Sequence, residues 1–315
     1  MPEPDRLFGC LLGTALGDSL GLPTEGIPPR RAARLFPGPL RQRLLAGRGV
    51  VSDDTAQTVF VLQSLWECDG DAEQFASLLA RRLRRWFLAL PPGIGRATVR
   101  SCFRLCLGIP PTRSGVWSAG NGAAMRSAVI GCFFADDEQA RLRFTKVSAR
   151  VTHTDPRAIT GAQLVALAAS CATTGTEDRF ADQADALAPD WEEVVSEGAG
   201  PTGASGFVLQ TVPAALGCWA RYPHSLAAAI EEAVALGGDT DTVAAIAGGV
   251  TGCSRPRGEV PEHWLRWVGW PSLVTLKRLS HGPVPDPPFA VMAATHAATL
   301  PVLLAHGFRR VAPPY

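Results

Sequence analysis

Apolar residues recur along most of the chain with the three-to-four-residue spacing of helices that bury one face. In residues 74–90, for example, apolar side chains and arginines fall on opposite faces of a helix. The same spacing predicts further helices over residues 7–20, 56–66, 123–135, 138–151, 158–172, 206–220, 225–236 and 240–252. No segment alternates apolar and polar residues as a row of strands would. The pattern therefore predicts an all-α protein.

Two irregular stretches interrupt this pattern. Residues 25–49 are rich in proline and arginine, which predicts a loop with one short helix. Residues 282–288 read GPVPDPP and predict a turn or linker. The tail that follows is apolar and helix-like over residues 289–309, although it contains Pro301. We expect one all-α domain over residues 1–280 and a C-terminal appendage over residues 281–315 that packs on it.

Composition and charge exclude several classes of protein. The 315 residues are 46% hydrophobic and 19% charged, which is enough apolar material for a sizeable core. The formal net charge is +1 without a strongly basic block, so we expect no nucleic-acid partner and no anionic membrane surface as partner. No unbroken apolar run reaches 18 residues, and no exposed apolar patch is evident. We therefore expect no membrane span, and a monomer.

The cysteines and the N-terminus indicate the compartment. The eight cysteines are scattered in apolar helical stretches without a CxxC pair, so a zinc ribbon is not expected. They are interpreted as buried free thiols in a reducing compartment. No basic segment and no apolar run precede Leu7, so the N-terminus does not resemble a signal peptide. We expect a cytoplasmic protein.

Two acidic pairs stand at predicted helix starts. Asp53 and Asp54 follow Ser52 in VVSDDTAQ, and Asp239 and Asp241 lie in GGDTDTVAA. One interpretation is structural, because aspartate and serine are favoured helix N-caps and carboxylates suit the positive end of a helix. One acid suffices for a cap, however, and two neighbouring acids repel each other unless a positive charge lies beside them.

A metal site explains both pairs together. The carboxylates, with hydroxyls nearby but no thiols or imidazoles, form a hard oxygen ligand set that favours Mg²⁺ or Mn²⁺ over zinc. Two such clusters could hold two ions about 3.5–4 Å apart, as in two-metal hydrolases. The small residues behind Asp241 suit a tightly packed helix, where unpaired charge would be costly.

Three further segments carry candidate chemistry. Glu25 lies in a loop before the proline-rich segment and is either a solvated side chain or a mobile acid or base. In SAGNGAAMR, Gly120 and Gly122 bracket Asn121 before a predicted helix, which suits either an ordinary turn or a phosphate-binding loop. His153, in VTHTDP, precedes a turn and has either a structural or a catalytic role.

These segments in this order resemble one family. GCLLGTALGDSLGLPTEG, SDDTAQTVFVLQSL, SAGNGAAMR, THTDP and GGDTDTVAAIAGGVTG, spread over roughly residues 6–270, resemble the ADP-ribosylglycohydrolases. That family includes dinitrogenase reductase-activating glycohydrolase, vertebrate ADP-ribosyl-acceptor hydrolases and jellyfish J1 crystallins. The resemblance implies an all-α orthogonal multi-helix bundle with a centre of two Mg²⁺ or Mn²⁺ ions.

The resemblance also implies roles for individual residues. Metal ligands would come from both acidic segments: Ser52, Asp53, Asp54, Asp239, Asp241 and Thr242. Glu25 matches the acid of a mobile loop, and Glu25, Asp54 and Asp241 are the candidates for the catalytic base. Substrate-binding residues would be Ser118, Gly120, Asn121 and Gly122, which hold the pyrophosphate and the distal ribose, and His153, which lines the cleft.

The implied reaction is hydrolysis of the glycosidic bond at C1″ of ADP-ribose, through an oxocarbenium-like transition state. The expected substrate is an ADP-ribosylated protein or a small ADP-ribosyl compound, with arginine favoured over serine as the linked residue. One alternative is a non-catalytic, crystallin-like or ADP-ribose-binding member of the same fold. Another is a metal-dependent nucleotide phosphohydrolase.

Overall fold

The computed structural model describes residues 2–189, 191, 203–254 and 260–311, and within these ranges it is almost wholly helical. Fifteen α-helices are present in the described ranges: α1 (Pro4–Gly21), α2 (Pro29–Leu35), α3 (Asp53–Glu67), α4 (Ala72–Leu88), α5 (Arg96–Cys106), α6 (Pro111–Ser114), α7 (Ala128–Phe133), α8 (Glu138–Thr152), α9 (Pro156–Thr174), α10 (Phe180–Leu187), α11 (Val208–Arg221), α12 (Leu226–Leu236), α13 (Thr240–Ser254), α14 (Leu273–Leu279) and α15 (Phe289–Val311). The all-α prediction is confirmed.

Short 3₁₀ helices and one small sheet complete the described structure. The 3₁₀ helices are Leu22–Thr24, Asn121–Arg126, Glu177–Arg179 and Glu262–Leu265. The sheet has two parallel two-residue strands, β1 (Gly49–Val50) and β2 (Trp267–Val268). It joins the chain just before α3 to the segment that follows the 3₁₀ helix at residues 262–265.

Helices α1 and α13 form the centre of the bundle and are buried along almost their whole length. A Cβ built at Gly13 would lie 2.0 Å from the Gly248 carbonyl oxygen, and one at Gly17 would lie 2.0 Å from the Ala244 carbonyl oxygen. Their backbones therefore touch, which only glycine permits. At the end of α1, the Thr240 hydroxyl donates to the Gly21 carbonyl oxygen at 2.8 Å.

The predicted helix over residues 123–135 is wrong in one respect. The chain forms a 3₁₀ helix over Asn121–Arg126, and α7 begins only at Ala128. Side chains donate hydrogen bonds to backbone carbonyl oxygens of this tighter turn. Arg126 Nη1 donates to the Gly122 oxygen at 2.8 Å, and Ser127 Oγ donates to the Ala123 oxygen at 2.8 Å. The other predicted helices are present, and residues 25–49 contain the one short helix expected, α2.

The C-terminal segment ends in α15, which lies beside α4. His296 Nδ1 lies 2.8 Å from the Ala89 carbonyl oxygen, and Met292 is buried. The described residues contain one helix long and apolar enough to cross a membrane by length and composition, Phe289–Phe308, with a mean hydropathy of 1.4 and 17% of its residues buried. The expectation of no such segment counted only unbroken apolar runs, and threonine and histidine interrupt this one. The division at residue 280 stays a prediction, and residues 312–315 lie outside the described ranges.

We expect Gly17→Ala to lower the free energy of unfolding by several kcal/mol, since its methyl group would meet the Ala244 backbone 2.0 Å away. Gly217→Ala is the matched control, because this helical glycine has no atom within 4 Å of an added Cβ. The control should be neutral or stabilising by up to ~1 kcal/mol. Urea unfolding followed by circular dichroism measures both, and equal effects would contradict the close contact.

Candidate metal centre and substrate cavity

The first acidic pair opens helix α3. Ser52 is the N-cap, and its hydroxyl accepts a hydrogen bond from the Asp54 amide at 3.3 Å. Asp53 and Asp54 occupy the first turn, where the positive end of the helix favours negative charge. Asp54 is buried and Asp53 is half-buried. The expected capping role therefore exists, but one hydroxyl performs it and leaves the carboxylates available.

The second acidic pair follows a tight glycine turn. Gly237 and Gly238 have φ angles of 76° and 81°, and a Cβ at Gly238 would lie 2.0 Å from the Ala204 carbonyl oxygen. Only glycine fits such a position. The turn places Asp239 directly before α13 and the buried Asp241 in its first turn.

The starts of α3 and α13 meet at these acids. The hydroxyls of Ser52 and Thr242 both donate to Asp54 Oδ2, at 3.1 and 3.4 Å. Two groups of three carboxylates result, with ligand oxygens within 4.8 Å of one another: Asp18, Asp54 and Asp241 in the first, and Glu25, Asp239 and Asp241 in the second. Because Asp241 belongs to both groups, the five carboxylates form one continuous cluster.

Burial gives these carboxyl groups unusually high pKa values. Burial is the main cause for Asp18, whose pKa rises to about 6, and for Asp53, whose pKa rises to about 7 with the charges of Asp18 and Asp239 adding to it. Burial and the neighbouring carboxylates also raise the pKa values of Asp54 and Asp241 well above their usual range. The cluster therefore favours the addition of positive charge.

Hard divalent cations fit this cluster. Asp54 Oδ1 is buried and has no hydrogen-bond partner among the described residues. No salt bridge in the described ranges neutralises Asp18, Asp53, Asp54, Asp239 or Asp241. The donors are carboxylate and hydroxyl oxygens, the ligands that Mg²⁺ and Mn²⁺ prefer. Buried acids without an arginine or lysine partner are what an oxygen-ligated metal centre requires.

Asp18, on α1, is the acid that sequence analysis did not assign to the site. Its Oδ2 accepts hydrogen bonds from the Ser52 amide at 2.8 Å, the Thr55 amide at 3.1 Å and the Thr55 hydroxyl. These bonds fix the first turn of α3 against α1. A sequence signal existed, because an aspartate within an otherwise apolar helix needs a specific partner.

The glycine-containing segment SAGNG lies beside the carboxylates. The Gly120 amide donates to Ser118 Oγ at 3.2 Å, and the Asn121 side-chain amide donates to Asp239 Oδ2 at 2.7 Å. Since a short 3₁₀ helix follows, the α-helix start predicted here is absent. Asn121 therefore joins the segment to the acidic cluster through its side chain.

His153 packs against this segment and is almost fully buried. Burial, followed by the positive charge of Arg126, lowers its pKa to about 3, so the imidazole is neutral at neutral pH. Its Nδ1 lies 2.8 Å from the Thr152 hydroxyl oxygen. A Cβ at Gly122 would lie 2.9 Å from His153 Cε1, so the glycine makes room for the ring.

Nearly all of the predicted site residues line one cavity of about 730 Å³. It is lined by Glu25, Asp53, Asp54, Ser118, Gly120, Asn121, Gly122, His153, Asp239, Asp241 and Thr242. Ser52 is the exception, because it lines a smaller cavity beside α15. Sequence reasoning missed one wall, formed by the loop with Gly93 and Gly95, by the first turn of α5 up to the buried Thr98, and by Ser205 and Gly206. That loop has glycines but no motif that separates it from an ordinary turn.

Comparison with known sequences identifies one protein family. The sequence profile of the ADP-ribosylglycohydrolase family matches residues 2–282. An uncharacterized protein of Archaeoglobus fulgidus is 33% identical over 289 residues, covering 83% of this chain and 90% of its own. ADP-ribosylhydrolase ARH3 of Mus musculus is 28% identical, with 82% and 86% covered. ADP-ribosylarginine hydrolase Tri1 of Pseudomonas putida is 29% identical, with 84% and 75% covered.

A solved structure agrees with these sequences. A chain described as an ADP-ribosylglycohydrolase-related protein complex is 27% identical and has a TM-score of 0.69. The match covers 93% of this chain and 98% of that chain. The similarity therefore extends over nearly the whole described fold and not only over the motifs.

We expect Asp18→Asn to weaken Mn²⁺ binding by about 10- to 100-fold, as loss of outer-shell partners of metal ligands does. Asparagine keeps one acceptor oxygen, but its NH₂ group cannot accept from the Ser52 amide, which donates to both carboxylate oxygens of Asp18. The substitution also removes a negative charge from the cluster. Thr14→Val is the matched control on α1, since the buried Thr14 hydroxyl has no partner among the described residues. Isothermal titration calorimetry measures the affinity, and an unchanged affinity in folded Asp18→Asn would contradict the positioning role.

Without metal, the free energy of unfolding should fall as pH rises from about 4 to 7. Asp18 and Asp53 have pKa values of about 6 and 7 in the fold against 3.8 ordinarily, so the folded state binds more protons in this range. The loss should reach a few kcal/mol at ~1.4 kcal/mol per pKa unit. Urea unfolding in EDTA measures it, and Asp53→Asn should flatten the profile. Stability that rises with pH would contradict the raised pKa values.

Proposed function

Because this chain belongs to the ADP-ribosylglycohydrolase family and is a hydrolase of ADP-ribosylated substrates, we propose that it is metal-dependent and releases ADP-ribose from arginine side chains. The observation that carries the proposal is the position of Asp241, whose carboxylate completes both acidic groups at the base of the substrate cavity. A buried acid in this position is costly to the fold unless a cation binds there.

The proposed metal ligands come from the first turns of two helices. Ser52, Asp53 and Asp54 hold the ions from the α3 side, and Asp239, Asp241 and Thr242 hold them from the α13 side. The number and identity of the ions, two Mg²⁺ or Mn²⁺, are supported by the hard oxygen donors and the two groups that share Asp241. The chemistry that such ions supply when bound is polarisation of a water and orientation of the ribose hydroxyls.

Glu25 is our first candidate for the general base. It lies directly after the 3₁₀ helix Leu22–Thr24 and lines the cavity within the group that contains Asp239 and Asp241. The amide of the next residue, Gly26, donates to the Gly238 carbonyl oxygen at 2.7 Å, which ties the loop to the glycine turn. Glu25 is therefore held beside the carboxylates. Asp54 and Asp241 are the alternative bases.

The SAGNG segment and His153 form the proposed ADP-ribose subsite. Ser118, Gly120, Asn121 and Gly122 line the cavity next to the carboxylates, where the pyrophosphate and the distal ribose would lie. A neutral His153 brings no charge to this wall and can hydrogen-bond a ribose or phosphate oxygen through one ring nitrogen. The nearly uncharged wall suits a phosphate that is bound by amides and hydroxyls.

Arginine is the proposed linkage for two reasons. A relative from Pseudomonas putida is named an ADP-ribosylarginine hydrolase. The charged side chains that line the cavity are five carboxylates and one arginine, Arg96, and this balance suits a cationic guanidinium leaving group. The substrate would be an ADP-ribosylated protein or a small ADP-ribosyl compound. A cytoplasmic location is supported by eight free cysteines, seven of them buried.

The test is release of ADP-ribose from arginine- and serine-ADP-ribosylated peptides in Mg²⁺, Mn²⁺ or EDTA. We expect release from the arginine peptide in the presence of metal. Asp241→Asn should lower kcat/KM by at least about 100-fold, since loss of a direct metal ligand lowers activity more than loss of a residue that only hydrogen-bonds to a ligand. Asp71→Asn is the matched control, because Asp71 caps α4 as an exposed N-cap.

Each possible result tests a different part of the proposal. Release that survives EDTA would contradict metal dependence. Release from the serine peptide alone would contradict the arginine linkage. ADP-ribose binding without release from either peptide would identify a binding protein of the same fold.

A further inference from the structure

Helix α15 carries a continuous apolar face toward solvent. Its exposed bulky side chains are Phe289, Val291, Leu300, Leu304 and Phe308, with exposed fractions between 43% and 73%. Only alanines and Pro301 lie between them on the exposed side, so no charged or polar residue interrupts it from Phe289 to Phe308. We name this surface the α15 apolar face.

Between Phe289 and Phe308, the polar residues of α15 point inward instead. Thr299 and His306 are buried, and Thr295 and His296 are half-buried against the protein. His296 Nδ1 lies 2.8 Å from the Ala89 carbonyl oxygen. A surface helix ordinarily buries its apolar side and exposes its polar side. In α15 the inner side holds polar residues together with Met292, Val302 and Leu303, while five bulky apolar residues face solvent. Covering the outer side is therefore the larger remaining gain in burial.

The α15 apolar face is too large for an ordinary exposed surface. At about 100° per residue, its members cover roughly 200° of the helix circumference, over a length of about 30 Å. Monomeric soluble proteins rarely expose continuous apolar patches beyond a few hundred Å², and larger ones mark interaction sites. Neither the proposed metal centre nor the substrate cavity uses any exposed residue of this face.

We propose that the α15 apolar face binds the same face of a second copy of this chain, in a two-fold antiparallel dimer. The side chains in the middle of the face are small, because Ala294, Ala297 and Ala298 are exposed there. Two helices can therefore approach closely at this point. In an antiparallel pair, the bulky Phe308 end of one helix lies beside Ala290 at the other end of its partner. The face is therefore complementary to itself, as a two-fold interface requires.

The area also fits a dimer. A strip about 30 Å long over about 200° of a helix roughly 10 Å across offers on the order of 500 Å² per copy, or about 1,000 Å² in total, which is the lower limit for a specific interface. A membrane surface is a poorer occupant, because inserted helix faces gain their binding energy from bulky apolar and aromatic side chains. Half of this face is alanine. The expectation of a monomer rested on the absence of an exposed apolar patch, and α15 supplies one.

Dimerisation would also hold α15 in place beside the start of α3, which carries part of the proposed metal centre. The inner side of α15, including Met292, Thr295 and His296, lines the small cavity that Ser52 and Asp53 line from the other side. A partner on the outer side holds α15 against the segment that opens α3. The dimer is a proposal separate from the hydrolase activity, since none of the substrate-cavity residues lies on α15.

The test is the mass of the full chain in solution by sedimentation equilibrium and size-exclusion chromatography with light scattering. At about 50 µM we expect twice the chain mass of 33.3 kDa, with dissociation on dilution as mass action requires. Ala298→Arg and Leu304→Glu should each shift the protein to the monomer, with circular dichroism unchanged because both side chains are exposed. Leu107→Glu is the matched control, an exposed leucine beyond α5 that should leave the dimer intact.

Other occupants of the face give different results. A wild-type monomer at this concentration would overturn the proposal, as would a dimer that Ala298→Arg and Leu304→Glu leave intact. Flotation of the wild-type monomer with phosphatidylcholine–phosphatidylserine vesicles, lost in Leu304→Glu, would identify a membrane-surface helix instead. ADP-ribose release measured on the same samples keeps these outcomes apart from failure of the hydrolase proposal.

Discussion

The backbone contact between α1 and α13 is the constraint on which the functional site depends. Gly13, Gly17 and Gly21 have no side chain where α1 meets α13, so the two backbones lie directly against each other. The Thr24 hydroxyl donates to the Thr240 hydroxyl at 3.1 Å and fixes the end of α1 to the start of α13. Because the loop with Glu25 follows this point, the contact sets the distance between acids that are more than two hundred residues apart.

Carboxylate side chains are buried close to the same contact. Asp18 and Asp241 are both buried where the two helices meet α3, and burial raises their pKa values. A fold selected for stability alone would place apolar residues there, since unpaired buried carboxylates oppose folding. Asp18 instead accepts hydrogen bonds from the Ser52 and Thr55 amides and the Thr55 hydroxyl, and Asp241 accepts one from the Thr242 amide at 3.0 Å. These donors hold the oxygens in place without neutralising them. The buried carboxylates therefore oppose the stability of the fold at this point.

The C-terminal helix relates to the site indirectly. α15 contributes no residue to the substrate cavity, yet its inner side borders the small cavity behind Ser52 and Asp53. Its outer side is apolar, so packing on this chain leaves five of its bulky apolar residues exposed. Both features are explained if the helix is a support whose outer side has a partner of its own.

The sequence by itself determined the helical class, most helix positions and the two acidic segments, because apolar spacing, caps and glycine turns are local features. Resemblance added the order of the motifs and thereby the family. The tertiary structure alone decided that Asp18 belongs to the cluster, that the start of α5 and the loop before it line the cavity, and that residues 121–126 form a 3₁₀ helix. It also decided which side of α15 faces solvent. These features depend on which distant segments come into contact, and a local pattern of residues carries no information about a partner far along the chain.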